Sequence, residues 1–262
     1  MSHRQRISTV LIAIVGAVFP CFSAGTPANK IVQPVSAPLI VALGDSVTYG
    51  IRDNGSVLLD QTFVSRLGHL LSPEFPGVTV TNAGVRGNTT RDLLLRLDSD
   101  VIAKKPNLVI LMIGINDASY YDPRPHGAPP VWRTEPRVPL SEFRKNVIEI
   151  VKRIKSTGAK VLLVTPNPLS RAFVYSNLGY YRNHDMNGAL RKYAAVIASL
   201  NVNKHIPLID LFKSWDTPED LNKYLVDGMH PNPEGHAEIA ALLDAKCQML
   251  LADKSLRSSR VP

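Results

Sequence analysis

Pro38-Leu39-Ile40-Val41-Ala42-Leu43 runs straight into Gly44-Asp45-Ser46, followed by Val47-Thr48-Tyr49-Gly50. A short apolar run that stops abruptly at a glycine reads as a buried strand. The serine then stands just past the carboxyl end of that strand, where open α/β sheets hold their ligands. Ser46 is thereby a candidate nucleophile. A serine hydroxyl is weakly nucleophilic at neutral pH, so the reading requires a base and oxyanion donors elsewhere in the chain.

Four more strand-like runs follow: Val78–Asn82, Leu108–Ile113, Lys160–Thr165 and Ile206–Leu211, each bounded by polar or turn residues. Between them apolar residues recur at helical spacing, as in Phe63, Leu67, Leu70 and Leu71, or Phe143, Val147, Ile150, Val151 and Ile154. Leu93, Leu94, Leu97 and Ile102 mark a further helix, Leu190, Tyr193, Ala194 and Ile197 another, and Ile239, Leu242, Leu243 and Leu250 the last. Strands alternating with helices predict an α/β fold of three layers, flavodoxin-like, with a five-stranded parallel sheet and helices on both faces. Thr157-Gly158 ends the third helix, and Asn232-Pro233-Glu234 opens the last with proline in its first turn. Two connections, Tyr120–Pro139 and Pro166–Asn183, are too long for simple links and should rim a pocket.

The other strand ends carry matching chemistry. The second runs into Asn82-Ala83-Gly84-Val85-Arg86-Gly87-Asn88-Thr89-Thr90. Gly84 would let a backbone N–H approach a ligand closely, although a plain βα turn capped by Thr89 or Thr90 explains the same residues. The third runs into Gly114-Ile115-Asn116-Asp117, where Asn116 either stabilises its turn or points its amide at a developing oxyanion. Ser46 N–H, Gly84 N–H and Asn116 would form three donors from adjacent strand ends. After the fifth strand comes Asp227-Gly228-Met229-His230-Pro231, three residues from carboxylate to imidazole in a restricted turn. That spacing lets Asp227 orient His230 as a general base. His236 is the rival base, but inside a helix it suits packing or solvent; His69, His126, His184 and His205 have no orienting partner nearby in sequence.

Composition bounds the rest. A chain of 262 residues with 45% apolar content suits one compact domain. His3, Arg4 and Arg6, the apolar run Val10–Phe19 and the small residues Ser23-Ala24-Gly25 read as a secretory signal peptide over 1–25, too short in its apolar part to span a bilayer. Residues 26–37 form a linker, 38–252 the folded domain and 253–262 a basic tail. Val18-Phe19-Pro20 lacks the small residues that precede a lipid-modified cysteine, which argues against an anchor on Cys21. With Cys21 removed only Cys247 remains, so no internal disulfide is expected. The formal charge of +8 falls by two when Arg4 and Arg6 leave, and the remaining Lys and Arg are scattered, so neither nucleic acid nor a membrane surface is indicated as a partner.

With Ser46, Gly84, Asn116 and the Asp227…His230 pair in this order, the chain resembles the GDSL-type esterases of the SGNH hydrolase superfamily from about Pro38 to Leu250. The resemblance implies a serine esterase without metal or cofactor: Ser46 the nucleophile, Asp227 and His230 the other triad members, Ser46, Gly84 and Asn116 the oxyanion hole. Val138–Val147 and Leu163–Leu169 are similar to the branch containing isoamyl-acetate-hydrolysing esterases. Carbohydrate deacetylases, lysophospholipases and thioesterases occur in the same family, so short-chain acyl or O-acetyl esters are expected with the latter two as alternatives. Tyr120, Tyr121, Trp132 and Tyr175 are the expected substrate rim. Two rivals come from other classes. Asp45, Asn116, Asp117, Asp227 and His230 could ligate Mn²⁺ or Mg²⁺ in a phosphoesterase, although no second histidine or dense carboxylate cluster supports this; a non-catalytic binding module would not need the full set of catalytic residue types.

Overall fold

The computed structural model describes residues 37–51, 56–57, 59–122, 131–170, 185–215 and 221–253. The signal segment, nearly all of the linker, Tyr175, and the tail after Asp253 lie outside these residues. In chain order the strands are β1 (Leu39–Gly44), β2 (Thr79–Gly84), β3 (Leu108–Met112), β4 (Tyr121–Asp122), β5 (Val131–Trp132), β6 (Lys160–Val164) and β7 (Leu208–Ile209). The helices are α1 (Ser46–Tyr49), α2 (Phe63–Leu71), α3 (Thr90–Asp100), α4 (Leu140–Ser156), α5 (Met186–Lys204), α6 (Leu211–Trp215) and α7 (Pro233–Ala252).

Five strands form a wholly parallel sheet in the order β2-β1-β3-β6-β7. The step from β1 to β2 goes one way across the sheet, and the steps from β2 through β3 and β6 to β7 go the other. Right-handed crossovers therefore set α2 on one face and α3, α4 and α5 on the other. The contacts agree: α7 packs on α2, while α3 meets α4 and α4 meets α5. Strand order reverses between β1 and β3, and the crevice beyond their carboxyl ends is the switch point at which such sheets bind ligands. Ser46 sits there.

β1, β3 and, after Lys160, β6 are apolar because helices cover both of their faces, and Ile40, Val41, Leu43, Leu108, Val109 and Leu163 are fully buried. The two outer strands depart from the sequence reading. β2 is buried only at Ala83 and Gly84, since it is an edge strand whose earlier residues flank solvent. β7 shrinks to two half-buried residues: Pro207 has no N–H to give to the ladder, and Leu211 already begins α6. The expected helix ends are in place, with Thr157 following α4, and Asn232 capping α7 through its side chain with Pro233 in the first turn.

Candidate active site

Gly44 is dictated by packing. A Cβ there would collide with the Met112 carbonyl and the Thr48 hydroxyl, so the turn from β1 into α1 closes only around a glycine. Asp45 then caps α1, its Oδ1 accepting from Val47 N–H at 2.9 Å. Burial raises the Asp45 carboxyl to about 6 against the pull of that N–H, of His230 and of Asn116. Ser46 follows as the first helical residue, 8% exposed, so its N–H belongs to the first turn and has no intrahelical acceptor.

The structure brings Ser46, His230 and Asp227 into one chain of hydrogen bonds. His230 Nε2 lies 2.9 Å from Ser46 Oγ, and His230 Nδ1 lies 2.6 Å from Asp227 Oδ2. An ionised carboxylate can only accept, so Nδ1 carries the proton and Nε2 presents its lone pair to the serine hydroxyl. Burial pushes the Asp227 carboxyl up, but the hydrogen bond and charge of His230 outweigh it and hold the group below its ordinary range. Its other oxygen, Oδ1, accepts from Met229 N–H at 2.9 Å and His230 N–H at 2.7 Å, fixing the turn that carries the imidazole. The loop after β6 braces this turn: Asn167 Nδ2 donates to Met229 O at 3.0 Å, and Ser170 N–H to Gly228 O at 2.8 Å.

The oxyanion donors are only partly as expected. Asn116 stands beyond the end of β3 beside Asp45, where Nδ2 donates a long hydrogen bond to Asp45 Oδ2 at 3.5 Å; the amide carries two N–H donors, so this bond leaves one for an oxyanion. Gly84 is different. Its N–H donates to Asn82 Oδ1 at 2.8 Å, and a Cβ at this position would run into the backbone of Asp45, Thr48 and Tyr49. Gly84 lets α1 lie against β2, and its amide is already spent. The next glycine, Gly87, has a φ of 74°, and its N–H has no hydrogen-bond partner among the described residues. The signal for it was a second glycine three residues on, in a turn that needs positive φ.

Of the proposed rim, Tyr121 reaches the site. It lines a cavity of about 10 Å³ together with Asn116, Ile115, Leu169, Met186 and Met229. Trp132 packs edge-on against Tyr121 with centroids 6.1 Å apart, in the hairpin of β4 and β5. Tyr120 and Tyr121 both pack, partly buried, against the main core. The five residues of the metal reading do not converge as ligands, because Asp117 turns to α3, where Oδ1 accepts from Thr90 N at 2.9 Å and Oγ1 at 2.6 Å. Burial raises the Asp117 carboxyl to about 7, and no three acidic, His or Cys side chains among the described residues gather to hold a metal ion.

His236 is a core residue. It is fully buried, stacks on Phe63, and its Nδ1 accepts from Phe63 N–H at 3.2 Å, joining α7 to the start of α2. Burial, with Arg66 and His230 adding to it, lowers its pKa to about 3, so the ring stays neutral. His236→Ala orphans that N–H, at a cost of about 1–3 kcal/mol, and opens a cavity besides. The expected result is a melting temperature lower by roughly 5 °C or more with turnover per folded molecule unchanged. The pH dependence follows: the unfolded imidazole takes a proton below about 6.5 and the folded one does not. Wild-type stability therefore declines as pH falls below that value, and thermal melts at pH 5 and 8 should show a smaller decline in the variant.

Comparison with known proteins agrees with this architecture. The model of the GDSL-like lipase/acylhydrolase family matches residues 42–238. An acetylxylan esterase of Geobacillus stearothermophilus is 35% identical over 225 residues, covering 78% of this chain and 91% of its own. An uncharacterized lipoprotein of Bacillus subtilis, YqeF, is 28% identical over 216 residues, 75% of this chain and 84% of its own. An isoamyl acetate-hydrolyzing esterase of Saccharomyces cerevisiae is 24% identical over 204 residues, 74% and 79% of the two chains. Among solved structures, a lipase/acylhydrolase from Enterococcus faecalis superposes with a TM-score of 0.65 at 25% identity, covering 81% of this chain and 96% of its own. The chain belongs to the GDSL-like lipase/acylhydrolase family, and its class is carboxylic ester hydrolase.

Proposed function

We propose that the protein is an exported serine esterase that cleaves short-chain acyl or O-acetyl esters through an acyl-enzyme. The observation that carries this reading is the continuous Ser46–His230–Asp227 chain at the β1/β3 switch point. His230 Nε2 takes the hydroxyl proton as Ser46 Oγ attacks the ester carbonyl. The carbonyl oxygen becomes an oxyanion facing Ser46 N–H, the Asn116 amide and, in place of Gly84, the N–H of Gly87. His230 then gives its proton to the departing alcohol. A water enters, loses a proton to His230, attacks the acyl carbon, and Ser46 leaves with that proton. No cofactor takes part in these steps.

Two features support a small acyl group. The cavity beside Asn116, lined mainly by apolar side chains with Ser119 and Tyr121 among them, has room for a group of about one water or methyl in size. The Geobacillus relative is an acetylxylan esterase, which makes acetylated carbohydrates the first substrates to try. Export rests on the 1–25 segment, read as a removable signal that takes Cys21 with it. The test is a panel of p-nitrophenyl acetate, butyrate and octanoate, acetylated xylo-oligosaccharides and a lysophospholipid. Acetyl esters should give the highest kcat/KM, with octanoate at least tenfold lower and all rates unchanged by a chelator. A preference for octanoate or the lysophospholipid would overturn the acyl assignment.

A further inference from the structure

Arg96 lies on α3, two turns from its start and far in sequence from any triad residue, yet its guanidinium reaches under the carboxyl ends of two strands. Nη2 donates to Gly44 O at 2.9 Å, Nη1 to Ala83 O at 2.8 Å, and Nε to Asn88 Oδ1 at 2.7 Å. Nη1 also donates to Asp100 Oδ2 at 2.7 Å, one turn further along the same helix. The Arg96 side chain is 16% exposed, and the Arg96 hydrogen bond lowers the Asp100 pKa. Each of the three other acceptors stands at a junction of the site. The Gly44 carbonyl belongs to the peptide that leads into Asp45 and Ser46. Ala83 and Asn88 bracket the loop that contains Gly87.

We infer that Arg96 is a positioning residue that locks the Ser46 turn and the Gly84–Asn88 loop in fixed relation, so that donors from both meet one oxyanion. The inference rests on the proposed serine mechanism. Arginine suits the task because its planar fork offers five N–H donors in a rigid geometry, whereas a lysine ammonium is a point charge that cannot span the same acceptors. The Gly44 carbonyl also accepts from Val85 N–H at 3.1 Å, so the two segments already touch; Arg96 fixes where they touch. On the far side, Arg137 Nη1 donates to Gly87 O at 3.0 Å, so the loop is held from two directions. Misplacement of a reacting group by about 1 Å can cost on the order of 10²-fold in rate. Small shifts here would do that.

The test compares wild type, Arg96→Ala, Arg96→Lys and Ser46→Ala on p-nitrophenyl acetate, each held well below its melting temperature and normalised to folded protein. Arg96→Ala should lower kcat by about 10²-fold with KM within twofold, because the lost alignment matters at the transition state and not for substrate binding. Arg96→Lys should lower kcat at least tenfold although it keeps the charge. That variant decides the matter if Arg96→Ala does not fold. A kcat within twofold of wild type in the folded variants, with only the melting temperature reduced, would make Arg96 a stabilising residue and overturn the inference while leaving the serine reading intact. Full activity in Ser46→Ala would instead remove the serine reading and this inference together.

Discussion

Ser46→Ala is expected to lower kcat by about 10⁶-fold, the scale on which triad serines act, with little change in KM or in melting temperature. The size follows from the mechanism: without Oγ there is no acyl-enzyme, and what survives is the modest acceleration given by the oxyanion donors and substrate binding. The small effect on stability follows from packing. Among the described residues Ser46 Oγ hydrogen-bonds only with His230 Nε2, and alanine is well tolerated in the first turn of a helix. Steady-state kinetics together with thermal unfolding separate the two quantities. A variant with wild-type kcat would remove Ser46 from the reaction.

The second large effect concerns the other two members. His230→Ala removes the base and should cost about as much as loss of the serine, whereas Asp227→Asn should cost roughly 10⁴-fold. The asparagine keeps an oxygen for the Met229 and His230 amides but turns an NH₂ toward Nδ1–H. Two donors cannot face each other. The imidazole must therefore move its proton to Nε2, where it no longer accepts from Ser46. kcat measured for both variants beside His236→Ala checks the assignment, and a loss in His236→Ala comparable to that in His230→Ala would mean that the base has been misassigned.

The parts of the fold legible in the sequence are those that depend on local pattern. β1, β3 and, after Lys160, β6 are apolar because they are covered on both faces, and the last helix is announced by Asn232-Pro233. Asp227 and His230 were legible as a pair because three residues in a restricted turn can meet without help from the rest of the molecule. The edge strands were harder to delimit, since β2 is paired on one side only and β7 is interrupted at Pro207. Gly84 shows a different limit. A glycine at a strand end signals close approach, but the sequence does not say whether the approaching group is a ligand or, as here, the backbone of α1. Nor does it say that Asn82, two residues away, will occupy the amide. Arg96 was hidden for a third reason: its acceptors at Gly44 and Ala83 are 52 and 13 residues distant, and a basic residue on an amphipathic helix reads as solvated surface.

The most direct test of the account is covalent. An organophosphonate that mimics the tetrahedral adduct of a short acyl ester, incubated with the purified protein and followed by peptide mass spectrometry, should place a single adduct on the peptide carrying Gly44-Asp45-Ser46, at Ser46. Ser46→Ala should take up none, and His230→Ala should react far more slowly. An adduct on a different residue of the wild-type protein, or undiminished labelling of Ser46→Ala, would contradict the claim that Ser46 is the nucleophile.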